Sequence, residues 1–153
     1  MQVIITDGGR ASSARCRGQT RGDCVTRSIA IVTGRSYWEV YDRLAQGTGA
    51  QRRGKGGKKR AASAANGVNT DRKWFKDYMR ELGFTWVPVM GIGTGCTMHM
   101  RAPGEGYGGV PLGRLVVSLS RHYSAVIDGV CFDTHDPCRG GTRCVYGYWR
   151  LDP

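Results

Sequence analysis

An α+β fold, with N-terminal helices packed on an antiparallel β-sheet, is what this 153-residue sequence predicts. Three observations carry the assignment. The first half holds three segments whose apolar residues recur at helical spacing, the second half changes to alternating or continuous β-branched runs, and turn signals separate those runs. Helices followed by strands is the segregated pattern, distinct from the alternation of βαβ units. At this length the chain reads as one domain, 1–153, long enough to bury a core.

The elements follow in order. "MQVIIT" reads as a short strand stopped at "DGG". Residues 10–22 are polar and arginine-rich, and read as a loop. The first helix starts behind Asp23 as N-cap, carries Val25, Ile29 and Val32 on one stripe, and closes at Gly34. A second helix opens with Ser36 and Glu39 as a capping box, with Trp38, Tyr41 and Leu44 behind. At Gly47 a basic, glycine-rich flexible loop, about 47–66, interrupts it. "NTDRKWFKDYMRELG" predicts a third helix, capped by Thr70, favoured by Asp71 in its first turn and ended by Gly83. Its apolar stripe is Trp74, Phe75, Tyr78 and Leu82. The runs 84–89, 114–119, 122–127, 130–134 and 144–150 read as strands, the first an edge strand because it contains Pro88.

Asp128-Gly129, between "HYSAVI" and "VCFDT", is a strong two-residue hairpin signal. It sets a register in which Ile127 faces Val130, Ser124 faces Asp133 and His122 faces His135. Side chains 122, 124, 126, 131, 133 and 135 then share one face, and His122 and Asp133 become diagonal neighbours within hydrogen-bond reach. Asp136 would fall on the opposite face if the strand continued, and Pro137 is placed to end it.

Composition narrows the function classes. No run of eighteen apolar residues exists, which excludes a helical membrane span. The N-terminus lacks a basic segment before its short apolar run, so it does not read as a signal peptide and the expected compartment is the cytoplasm. The six cysteines are even in number, but in that compartment thiols stay reduced. The zinc candidates are "CTMH" (Cys96, His99) and "CRGGTRC" (Cys138, Cys144); neither is a C-x-x-C knuckle, and buried free thiols with no metal are the expectation. The glycine-rich stretch 91–109 lacks the Gly-x-Gly-x-x-Gly spacing of a dinucleotide site. The net charge of +11 concentrates in "GTGAQRRGKGGKKR", where Arg52, Arg53, Lys55, Lys58, Lys59 and Arg60 form either a solvated solubilising loop or an anion-binding segment.

Cys24 is the residue on which function turns. A cysteine in the first turn of a helix is either a small core residue or a nucleophile whose thiolate the helix dipole stabilises. His122 supplies a base that can later act as acid, and Asp133, with Asp136 as alternative, supplies a carboxylate to orient the imidazole. His135 is a second candidate base. The Cys24 N–H and the Gln19 side chain are candidate donors to an oxyanion.

"GDCVTRSIAIVTG" followed by "SRHYSAVIDGVCFDTHDP" resembles the papain-like cysteine peptidase superfamily, and more closely its small members found in phage genomes. The resemblance implies a papain-like arrangement with Cys24 as nucleophile, His122 as base, Asp133 as orienter and Gln19 as the oxyanion glutamine. It implies cysteine peptidase or amidase chemistry on a peptide or amide through an acyl-thioester, without a cofactor or metal, and the host cytoplasm as setting for a phage-encoded chain. A peptidoglycan amidase is a second enzymatic reading. The alternative from another class is a non-enzymatic basic module that binds nucleic acid or an acidic protein partner, supported by the 52–60 cluster and by Arg72, Lys73, Trp74 and Lys76.

Overall fold

A computed structural model describes residues 1–12, 22–50, 64 and 67–153. Among these residues, three α-helices, α1 (Cys24–Thr33), α2 (Tyr37–Gly49) and α3 (Lys73–Glu81), accompany six strands, β1 (Gln2–Ile5), β2 (Phe84–Pro88), β3 (Arg114–Leu119), β4 (His122–Ile127), β5 (Val130–Asp133) and β6 (Gly147–Leu151). The strands form one sheet in the order β1-β5-β4-β3-β6-β2. The class is α+β, but the sheet is mixed: β1 pairs parallel to β5, and the remaining neighbours are antiparallel. The expected all-antiparallel sheet is thereby corrected. A chain that leaves β1 through the helical layer and returns to β5 can run parallel to it, whereas hairpins enforce the opposite direction.

The sheet is covered on both faces. Val25, Ile29 and Val32 of α1, Val40 and Leu44 of α2, and Phe75 and Met79 of α3 pack with Val116, Ala125 and Trp149 on one face. On the other, Leu115, Val117, Val126 and Cys131 meet Met100, Val110, Cys138 and Val145 from irregular segments. Alternation along β3 sends Val116 one way and Leu115 and Val117 the other, and all three are fully buried.

Helix boundaries departed from expectation for local reasons. Asp23 stands at the N-cap of α1 but makes no side-chain cap, because its carboxylate is engaged by Arg27 and Tyr37. Gly34 closes the helix as expected, at φ 72°, donating to the Ala30 carbonyl. The Ser36–Glu39 capping box does not form, since Glu39 accepts Arg35 at 2.8 Å. Thr70 does not cap α3. Asn69 accepts from the Asp71 N–H through its side chain and from the Arg72 N–H through its carbonyl, which holds 69–72 as a turn and starts the helix at Lys73. α2 continues past Gly47 to Gly49, so the basic loop begins later than expected. Its cations Arg52, Arg53, Lys55, Lys58, Lys59 and Arg60 lie outside the described residues, as do Cys16 and Gln19.

A second correction concerns the cysteines. Cys96 and Cys144 form a disulfide across 48 residues, while Cys24, Cys131 and Cys138 are free. No helix among the described residues is long and apolar enough to cross a membrane.

Gly47 continues α2 because Trp74 lies against it; a Cβ there would come within 2.3 Å of Cε3 and 2.6 Å of Cδ2 of the indole. Alanine in an open helix position would gain about 1 kcal/mol over glycine. Here overpacking, which costs about 1–3 kcal/mol, opposes and exceeds that gain. Gly47→Ala is expected to lower stability, and a urea midpoint equal to or above that of the wild type refutes the packing described.

Candidate active site

α1 begins at Cys24, and its N-terminus lies against the end of the sheet where β4 starts and β5 finishes. The hairpin register is the expected one: Ile127 pairs with Val130, Val126 with Cys131 and Ala125 with Phe132. Asp128 at φ 48° and Gly129 at φ 80° form the turn, whose positive φ values suit that dipeptide. The register carries Ser124 and Asp133 to the same place, and the Ser124 hydroxyl donates to Asp133 Oδ2 at 2.7 Å.

His122 Nε2 lies 2.6 Å from that same Oδ2. With Nε2 committed to the carboxylate, Nδ1 is the nitrogen left for the Cys24 thiol. The thiol is held by a side-chain hydrogen bond with His122 and by the Tyr123 backbone N–H. Burial raises the Cys24 pKa, but those two hydrogen bonds, together with the charges of His122 and Arg27, lower it below the ordinary value of 9.0. For His122, burial opposes the charged form; the hydrogen bonds to Asp133 and Cys24 outweigh it and raise the pKa to about 9. Burial likewise raises Asp133, and hydrogen bonds from His122 and Ser124 reverse it, holding the carboxyl well below the ordinary range. The three shifts agree in favouring a thiolate, an imidazolium and a carboxylate in a row.

Arg27, one turn along α1, extends this row. Its Nη2 donates to Asp133 Oδ1 at 3.0 Å and its Nη1 to Asp23 Oδ1 at 2.5 Å, while the Tyr37 hydroxyl reaches Asp23 Oδ2 at 2.9 Å. Asp23, Arg27 and Asp133 are all buried. The role of Arg27 was missed in the sequence. The signal present in the sequence is its spacing, four residues after the N-cap Asp23, which suits an ion pair as well as a cap.

The remaining candidates separate. Asp136 is exposed, and its Oδ1 accepts the Cys138 N–H at 2.8 Å in the turn after β5, so it does not orient His122. His135 is exposed and lies beside His122 with ring centroids 5.1 Å apart and the ring planes tilted by 50°. Cys24 is half-buried in the wall of a cleft of about 520 Å3, which Asp7, Arg10, Gly22, Arg121, His122, Thr134 and His135 also line. A second cleft, of about 380 Å3, lies among Trp86, Tyr123, Tyr146 and Trp149, with Lys76 and Arg80 beside them. No family model, curated protein or solved structure matches this chain.

Charge at the site couples to stability with a definite sign. His122 titrates at about 9 when folded against 6.5 ordinarily, so its contribution is complete below 6.5 and is lost as pH rises through 9. Asp133 is lowered from 3.8, so its contribution is present above that value and fades as pH falls below it. The stability deficit of His122→Ala is therefore expected to be large near pH 5–7 and to shrink toward about pH 10. Urea unfolding across that range measures it, and a deficit that grows with pH contradicts the assignment.

Proposed function

We propose that the protein is a papain-like cysteine peptidase or amidase, with Cys24 as nucleophile, His122 as base and acid, and Asp133 as the group that orients His122. The observation that carries the reading is the continuous chain from a half-buried, acidified thiol through His122 to Asp133, opening on a cleft. Helix, strand and strand supply the three groups in the order the papain-like resemblance implies.

The chemistry follows from the charges. Cys24 Sγ attacks the carbonyl carbon of an amide, the carbon–oxygen π electrons move to oxygen, and the oxyanion faces the α1 N-terminus with the Cys24 N–H as a donor. Collapse expels the amine, which takes its proton from His122 and leaves a thioester on Cys24. Water then attacks the thioester while His122 accepts its proton, and the acid product and the thiolate–imidazolium pair are released. Asp133 keeps Nδ1 turned to the reacting atoms throughout by fixing Nε2. Gln19 is the second oxyanion donor in this scheme.

One equivalent of iodoacetamide near pH 6 is expected to label Cys24 first, because thiols of ordinary pKa are almost fully protonated there. Cys131 and Cys138 are buried, and Cys96 and Cys144 are bonded to each other. His122→Ala should slow labelling by at least about tenfold, and Asp133→Asn by less. A peptide fluoromethyl ketone should form a thioether on Cys24 that mass spectrometry locates. Equal labelling of several cysteines, or no adduct with any peptide electrophile, would remove the reading.

The aromatic cleft favours a second reading, a basic module for single-stranded nucleic acid, alone or with the loop cations. Trp86 and Tyr146 are more than a third exposed, and Lys76 forms no ion pair among the described residues. Stacking on such rings is worth about 1–3 kcal/mol per base, and phosphate contacts make affinity fall steeply with salt. If the module reading is right, an oligonucleotide binds with a salt-dependent Kd that Trp86→Ala weakens by about tenfold or more. Failure of the wild type to bind at about 50 mM salt removes it.

A further inference from the structure

We infer that Cys96, His99 and Cys144, when reduced, form a zinc-binding site on the face of the sheet opposite the helices, separate from the Cys24 cleft. His99 and Cys144 face one another in an isolated antiparallel bridge. The backbone bonds flank the pair: the Val145 N–H donates to the Met98 carbonyl at 2.9 Å, and the Met100 N–H to the Arg143 carbonyl at 2.9 Å. In this arrangement the facing residues do not exchange hydrogen bonds themselves, and their side chains lie close together on one side. A third bond, from the His99 N–H to the Gly108 carbonyl at 2.7 Å, anchors the histidine segment from its other edge. His99 and Cys144 are thus held by the backbone, and their juxtaposition does not depend on the disulfide; Cys96 lies three residues before His99 and joins the pair through its sulfur.

The side-chain distances fit a metal. His99 Nε2 is 3.4 Å from Cys96 Sγ, and the donor atoms of all three residues lie within 4.8 Å of one another. Tetrahedral zinc, with metal–sulfur bonds of about 2.3 Å and metal–nitrogen bonds of about 2.0 Å, separates sulfur and nitrogen by roughly 3.6 Å and two sulfurs by roughly 3.8 Å. One of the two sulfur–nitrogen edges, that of Cys96 and His99, is therefore already in place, and Cys144 lies within 4.8 Å of both. Breaking the disulfide relaxes the two sulfurs to about van der Waals separation, which is close to the sulfur–sulfur edge. Two thiolates and an imidazole are a donor set that selects zinc over the hard cations. All three residues are half-buried, so water reaches the fourth position. The sequence offers Cys96 and His99 as one candidate pair and Cys138 and Cys144 as another; what it does not show is that Cys144 joins the first pair, through a bridge that no local pattern announces.

The balance is simple. A phosphine reduces the disulfide, taking up oxygen from water as phosphine oxide and leaving two thiols; the metal then displaces the two thiol protons. Cobalt(II) is the probe, since a tetrahedral site with thiolates gives intense visible bands and sulfur-to-metal charge transfer that zinc abolishes on displacement. Reduced wild-type protein is expected to bind one equivalent of cobalt with such a spectrum, and unreduced protein to give no spectrum of this kind. Cys144→Ser should lose most of the charge-transfer intensity. His99→Ala, which keeps both thiols and hence the disulfide, should weaken binding by about tenfold or more with an unchanged circular dichroism spectrum. If Cys144→Ser does not fold, His99→Ala decides alone. Absence of a tetrahedral cobalt spectrum in reduced wild type overturns the site. So does a spectrum that His99→Ala leaves at wild-type affinity, because the metal is then held by other thiols.

Discussion

The carboxylate of Asp133 is the group to which the architecture converges. It accepts four hydrogen bonds, from Arg27, the Thr134 N–H, His122 and Ser124, and so fills both oxygens. These partners come from α1, β4 and the end of β5 itself. Its backbone carbonyl adds the residue that follows β1, accepting the Thr6 N–H at 2.9 Å. A buried carboxylate without such partners would be strongly disfavoured or would protonate, so each partner helps to fix the ionised form. Position follows from the same requirement. α1 is held with its first turn against the β4–β5 end of the sheet because Arg27 must reach both Asp133 and Asp23.

This arrangement differs from what core formation alone requires. The two apolar clusters on either face of the sheet contain the large buried side chains, and the charged row lies at the edge of both. Replacing a buried ion network by well-packed apolar residues is often neutral or stabilising, whereas removing a single member is costly, about 3–5 kcal/mol. Folding therefore gives little reason to keep five ionisable groups in sequence from Asp23 to Cys24. Their alternation has a clear local effect: Arg27 and His122 both lower the pKa of Cys24, and Asp133 sustains the charge on His122.

Local patterns in the sequence carried much of this, and failed where a partner was remote. Strands β3 and β4 fall on the residues that alternation and β-branching mark, and Asp128-Gly129 correctly set a register from which the His122–Asp133 contact follows. The apolar stripe of α1 is the buried one, and Gly34 ends that helix. Asp23 takes the expected N-cap position of α1, yet it and Glu39 bond arginines instead of helix N–H groups, because a side chain that can cap can equally form an ion pair four residues away. The parallel pairing of β1, the Cys96–Cys144 bond and the Arg27–Asp133 contact each join segments far apart in the chain, separated by 48 residues in one case and 106 in another. No periodicity in a short window reports such a pairing.

The position of Cys24 brings the opposing demands on this site together. Burial on its own would push the thiol up and the imidazole down, giving a neutral pair and a weak nucleophile. Both groups are shifted the other way, so specific hydrogen bonds and charges override burial at each of them. Asp133 is what makes this self-consistent. With Nε2 bonded to a carboxylate that burial cannot neutralise, the imidazole stays charged up to about 9, and the charged imidazole is in turn what favours the thiolate. The helix adds its dipole at the same end of α1. Because Asp23 turns its carboxylate to Arg27 and Tyr37, no side-chain cap places an anion over that terminus. The half-buried sulfur thus sits where the dipole, the imidazolium and Arg27 all favour negative charge, on the wall of the cleft.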